Sequence, residues 1–157
     1  MTTIAIRPLA SVDDIDHILA IEHAAFTNPW TREMYLAELS SGSKVSRFQL
    51  AANAAGQIVG FCSYWLVVDE LHLNNLAVLP EWRGRGFGWA LLSAAVDDAR
   101  AHGGVRALLE VRRSNVVAQR LYARAGFDVV RVRKDYYTQP VEDALVLACE
   151  PLPHLEA

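Results

Sequence analysis

Six residues, Arg83 to Gly88 (RGRGFG), stand between an apolar run that reads as a strand, HLNNLAVLP, and a run that reads as a helix, WALLSAAVDDAR. A glycine-rich junction leading from a strand into a helix commits the chain to a strand–loop–helix unit, and so to a layered α/β domain. The helix sets Leu91, Leu92, Ala95, Val96 and Ala99 on one face and meets paired glycines at 103 and 104, which suit a helix C-terminus.

The flanking segments extend the same pattern. IAIRPLA alternates as a strand. SVDDIDHILAIEHAAF predicts a helix with Ser11 as its N-cap, and after the turn TNP, WTREMYLAELS predicts a second with Thr31 as its cap. Thr31 and Met34 come close to the capping-box spacing, with Met34 where the acid belongs. SRFQLAAN, QIVGFCSYWLVV and ELHLNNLAVL predict a meander of three strands, the first two joined at AAGQ. VRALLEV is a short buried strand. SNVVAQRLYARAGF predicts a helix capped by Ser114 or Asn115 and ended by Gly126, and DVVRVRKDYY and DALVLACEP are the last strands. At 157 residues this is one domain over residues 1–150, with a mixed, mostly antiparallel sheet of about seven strands flanked by about four helices. Residues 151–157 predict a loose C-terminal tail.

Charge and composition exclude several functions. A formal net charge of −3 gives no global positive field, so no direct nucleic-acid binding is expected. No apolar run reaches membrane-spanning length and the N-terminus does not resemble an export signal, which predicts a cytoplasmic protein without a membrane partner. Cys62 and Cys149 each sit inside a strand-like run and read as reduced core thiols, and the five histidines show no metal-ligand spacing, so no metal is expected.

Backbone N–H groups of a glycine-rich loop at the positive end of a helix form an anion site. The P-loop pattern fails, because the chain has no Gly-Lys pair, and the dinucleotide pattern fails, because its third glycine falls on Trp89. What remains is Arg83-x-x-Gly86-x-Gly88 with Arg85 as an extra cation, which suits a pyrophosphate; alone, the hexamer reads equally as a surface turn. Downstream, Glu110 ends an apolar strand where packing needs no acid, and Tyr122 lies seven residues into the following helix after Asn115. The blander readings are an acid paired with Arg112 or Arg113 and a tyrosine ring in the core.

Together these residues resemble a family. RGRGFG is similar to the Q/R-x-x-G-x-G/A pyrophosphate motif of the GCN5-related N-acetyltransferases (GNAT), and LEVRRSNVVAQRLYARAGF to the strand and helix that follow it there. FTNPWTREMYLAEL, NLAVLPEWRGRGFG, LEVRRSN, LYARAGF and KDYY followed by EDALVLA resemble, more narrowly, the RimI-like bacterial ribosomal-protein N-terminal alanine acetyltransferases. The resemblance implies the GNAT fold and acetyl-CoA as donor. It implies that Leu76, Ala77 and Val78 offer backbone groups to the pantetheine arm, that Arg83, Gly84, Arg85, Gly86, Phe87, Gly88 and Trp89 hold the pyrophosphate, and that Asn115 touches the cofactor nearby. It implies Glu110 as proton acceptor and Tyr122 as proton donor, and as acceptor the N-terminal alanine of small-subunit ribosomal protein eighteen. Arg83 stands where a glutamine is common, and the TQPV loop between Tyr137 and Glu142 is shorter than the family pattern.

Amide formation from a thioester needs a neutral amine, a stabilised oxyanion and a proton for the leaving thiolate. Neutralising a protein α-amine at pH 7 costs about 1 kcal/mol, and a lysine about 4 to 5 kcal/mol, so an N-terminus is the easier acceptor. An ordinary glutamate is a weak base, so an acid in this place acts after partial desolvation or through water. A backbone N–H near Ala77 polarises the thioester if the strand bulges there. A covalent route through either cysteine has no neighbouring histidine in sequence. Trp30, Tyr136 and Tyr137 are the aromatics placed around the acceptor, with ordinary packing as their alternative, and Asp69 and Glu70 offer a weak attraction for a basic peptide. Two other functions stay open at this point: acetylation of a small amine or lysine, and CoA binding without turnover.

Overall fold

A computed structural model of the chain describes residues 2–26, 28–40 and 46–155. Thr27 of the expected TNP turn and the last two residues of the expected tail lie outside them. In order, the elements are β1 (Ala5–Pro8), α1 (Asp14–Ala25), α2 (Arg32–Ser40), β2 (Ser46–Ala52), β3 (Ile58–Val67) and β4 (Glu70–Val78). A 3-10 turn (Pro80–Trp82) leads to α3 (Phe87–Ala101), β5 (Arg106–Arg112), α4 (Val116–Arg124), β6 (Asp128–Tyr137) and β7 (Glu142–Cys149). The strands form one seven-stranded sheet in the order β1-β2-β3-β4-β5-β7-β6. Every pairing is antiparallel except that of β4 with β5.

The core lies on both faces of the sheet. β3 is central and apolar on both sides, so Ile58 to Tyr64 is buried without a break. Leu91, Leu92, Ala95, Val96 and Ala99 of α3 are each fully buried on one face. On the other, Ile15, Ile18 and Ile21 of α1 pack with Tyr35, Phe48, Leu50 and Phe61. Gly60 of β3 is where the layers come closest. A Cβ there would sit 3.0 Å from the Ala77 carbonyl and 3.2 Å from Leu91, so only glycine lets β4 and α3 approach together.

Several local expectations are confirmed and others are corrected. The Thr31 hydroxyl accepts from the Met34 amide at 3.2 Å, and the Met34 sulfur lies 3.5 Å from the Thr31 amide, in the place of the missing acid. Asn115, not Ser114, caps α4 and accepts from the Ala118 amide at 3.2 Å. Ser11 does not cap α1: the helix starts at Asp14, whose carboxylate accepts from the Ala10 amide at 2.9 Å and takes a forked hydrogen bond from Arg7 at 2.8 and 2.9 Å. The tail is not loose at its start, because Leu152 is buried in the core and its amide donates to the Val105 carbonyl at 3.0 Å.

The Arg7 fork and the two loop amides hold the Asp14 carboxyl well below the usual carboxylate range. The folded state therefore binds the Asp14 proton less tightly than the unfolded chain. The stability this contributes is present above the ordinary aspartate value of about 3.9 and is lost as pH falls below it. Melting curves from pH 7 to pH 2 should show Asp14→Asn less stable than wild type near neutrality, with the difference closing in acid.

Candidate active site

The parallel pair β4–β5 is joined only along Glu70–Leu73 and Arg106–Leu109. Beyond those residues the strands part: Asn75 to Val78 stays paired with β3, and Glu110 to Arg112 with β7. Two strand edges thus face each other across a cleft with backbone groups not used by each other, which suits an extended ligand carrying amides. β4 bulges at Asn74, because Ser63 pairs with Asn75 while Tyr64 pairs with Leu73. The bulge lies at the point of parting and not near Ala77.

The Arg83–Gly88 loop follows β4 and runs into α3. Gly86 precedes the helix with φ of +94°, a conformation that an L side chain resists, and Gly84 has φ of +76°. Among the described residues, no backbone carbonyl accepts from the Gly84, Arg85 or Gly86 amide, so these donors and the first turn of α3 remain for an anion. Arg85 lies over the Trp82 ring at 4.7 Å. Arg83 is partly committed elsewhere, its Nε donating to the Val78 carbonyl at 3.0 Å. Arg124 of α4, which sequence reading missed, lies over Trp89 at 4.0 Å and adds a cation beside the helix start.

Glu110 is exposed on the sheet face opposite α3, at the head of an open cavity of about 260 Å³. Trp65, His72, Leu108, Arg131, Arg133 and Val146 contribute to its lining. Neither arginine expected beside Glu110 pairs with it: Arg112 binds Glu142 at 3.1 Å and Arg113 binds Asp143 at 3.4 Å. Its partners come from β6. Arg133 Nη1 lies 3.4 Å from Glu110 Oε2, and the Tyr136 hydroxyl donates to Oε1 at 3.4 Å.

Tyr122 is buried with its ring against Phe127, and among the described residues nothing hydrogen-bonds its hydroxyl. Burial, with smaller effects from Cys62 and Tyr137, raises its pKa, so the phenol is fully protonated at neutral pH. Tyr137 links the two sides of the cleft. Burial first and the Glu110 charge second push it up to about 12, and it faces Tyr122 in turn. Arg112 covers its ring at 4.4 Å. Burial pushes the Cys62 thiol up to about 12, which removes it as a nucleophile at neutral pH. Asn115 is exposed, its side-chain oxygen engaged in capping α4.

The roof is made by two loops. The Asn28 side chain donates to the Thr138 carbonyl at 3.4 Å, which brings the α1–α2 loop against the β6–β7 loop that carries Tyr136 and Tyr137 at its start. Trp30 packs on Tyr35 with ring centroids 5.1 Å apart. Beneath it is a buried polar cluster that sequence reading missed: Glu22 accepts from the Trp30 amide at 3.1 Å and from the Tyr35 hydroxyl, which also meets the Asn75 side chain. Its signal was present, an acid beside Ile21 on the apolar face of α1. Asp69 and Glu70 are not part of the site. They lie at the joined end of β4–β5, paired with Arg106.

The arrangement can hold an anion at the glycine loop, an amide-bearing arm between the strands, and an amine at Glu110. Residues 15–127 match the model of the acetyltransferase (GNAT) family. A Bacillus subtilis (strain 168) relative is 37% identical over 146 residues, covering 93% of this chain and 95% of its own. The [ribosomal protein bS18]-alanine N-acetyltransferase of Escherichia coli (strain K12) is 34% identical over 137 residues, covering 86% of this chain and 90% of that one. The crystal structure of the ribosomal-protein-S18-alanine N-acetyltransferase from Escherichia coli superposes with a TM-score of 0.84 at 29% identity, covering 98% of this chain and 97% of that one. No described helix is long and apolar enough to cross a membrane. A family match over most of the chain, agreeing with the split sheet and the anion loop, establishes that this chain belongs to the GNAT family of acetyltransferases.

Proposed function

We propose that this enzyme transfers the acetyl group of acetyl-CoA to the N-terminal α-amine of a protein, specifically the alanine that begins ribosomal protein bS18. The observation that carries the reading is the parting of β4 and β5, with Glu110 on the open face and an unengaged, buried Tyr122 hydroxyl on the helix side. The names of relatives that cover nearly the whole chain support the acceptor.

On this reading the Gly84–Trp89 segment, with Arg83, Arg85 and Arg124, holds the pyrophosphate; Leu76, Ala77 and Val78 present backbone groups to the pantetheine arm; and the exposed Asn115 borders it. Acetyl-CoA supplies an activated thioester carbonyl. The neutral amine attacks that carbonyl, the C–N bond forms and the C–S bond breaks. Glu110 takes the amine proton, directly or through water, and the Tyr122 hydroxyl gives a proton to the departing sulfur. Trp30, Tyr136 and Tyr137 enclose the acceptor under the two joined loops. No acyl-enzyme is required, in keeping with the buried Cys62.

Mass spectrometry of protein N-termini in cells with and without the enzyme tests this. The bS18 N-terminus should be acetylated only in its presence; unchanged acetylation there would overturn the acceptor assignment.

A further inference from the structure

We infer that Arg133 makes the acceptor site select an α-amine over a lysine side chain, by occupying the Glu110 carboxylate and placing a positive charge where a protonated amine would have to sit. This rests on the reading of Glu110 as proton acceptor.

Both Glu110 oxygens are engaged from β6, Oε2 by Arg133 and Oε1 by the Tyr136 hydroxyl. Arg133 is braced in turn by the Tyr136 ring, 5.1 Å from its guanidinium carbon. The cavity lining carries a second guanidinium, Arg131, on the strand position that pairs with Val146, itself the partner of Glu110. The remaining titratable side chain of the lining, His72, is engaged by Glu70 at 3.0 Å. Two guanidinium groups therefore face one carboxylate, and an arriving ammonium meets a surplus of positive charge.

Such a site takes its amine neutral. At pH 7 about one α-amine in ten is neutral, against fewer than about one lysine in a thousand. With Arg133 in place, each acceptor bears the full cost of its own deprotonation in bulk water, and the lysine side chain is penalised far more. A bare carboxylate would instead accept the ammonium with its proton, and the two acceptors would come closer together. Arg133 thus acts as a specificity-determining residue through charge, while Glu110 does the proton transfer.

Two peptides of one sequence test this at pH 7 and saturating acetyl-CoA: one with a free α-amine and no lysine, the other with a blocked N-terminus and one lysine. The ratio of their kcat/KM values is measured for wild type, Arg133→Met and Arg133→Lys. A single charge pair near 4 Å in water is worth about fivefold in an equilibrium, so Arg133→Met should lower the α-amine preference by about fivefold or more. Arg133→Lys should retain it. A uniform loss on both peptides, or an unchanged ratio in Arg133→Met, overturns the inference; should that variant fail to fold, Arg133→Gln is read by the same ratio. Wild-type enzyme inert on the free α-amine peptide would instead sink the underlying acceptor reading, and this inference with it.

Discussion

Tyr122→Phe is expected to lower kcat by about 10²- to 10⁴-fold, the range for loss of a positioned proton donor, while leaving the fold nearly as stable as wild type. The second half of that expectation comes from the packing. The ring is held by burial and by Phe127, which phenylalanine preserves, and no described residue hydrogen-bonds the hydroxyl. A hydroxyl kept in the core without a protein partner contributes little to folding, so its loss should be felt in turnover. Glu110→Gln should fall in the same range, since the amide keeps the shape and removes the proton acceptor. Both are measured as kcat at saturating acetyl-CoA alongside thermal unfolding. Near-normal turnover in either variant would remove that residue from the mechanism.

The second large effect is expected in stability, at Tyr35. Glu22 is 1% exposed, and the Tyr35 hydroxyl is one of two donors that satisfy it. Tyr35→Phe leaves a buried carboxylate short of a donor, which costs about 1–3 kcal/mol or more because the acceptor is charged. Glu22→Gln should cost much less, because a neutral amide escapes the desolvation that burdens the carboxylate. The pH dependence separates the two groups further. Burial raises the Glu22 pKa against the opposing bonds from Tyr35 and Trp30, so the folded state binds this proton more tightly than the unfolded chain. Its effect on stability is the reverse of that of Asp14: stability is highest below the ordinary glutamate value of about 4.3 and falls as pH rises from there to the raised value. Melting midpoints from pH 4 to pH 8 should show this slope in wild type and its loss in Glu22→Gln. Because the cluster holds the Trp30 amide, Tyr35→Phe should also raise KM for a peptide acceptor more than KM for acetyl-CoA.

Sequence reading reached far where local periodicity carries the information. The buried face of α3, the continuous burial of β3 and the Thr31 cap each follow from residues a few positions apart, and each is where the pattern places it. The glycine loop was legible for the same reason, since only glycine takes the backbone conformation found at Gly86 without strain. It failed where a partner comes from far along the chain. Ser11 is a good local cap, but Arg7 and Asp14 build a stronger entry to α1. The tail looked loose because nothing local reveals that Leu152 fits beside Val105.

The sequence by itself therefore determined the order of elements, the anion loop and the donor chemistry, because each is written within one turn, one strand or one helix face. The surroundings of Glu110 were decided by the tertiary structure alone. Two-residue alternation along β6 would put Arg133 and Tyr136 on opposite faces of the sheet. The register slips between Arg133 and Tyr137, with Asp135 at φ of +51°, and both side chains then reach the same carboxylate. A slip in pairing shows only once β7 is beside β6, since it is the hydrogen-bond match between two strands that fixes which way each residue of either one faces.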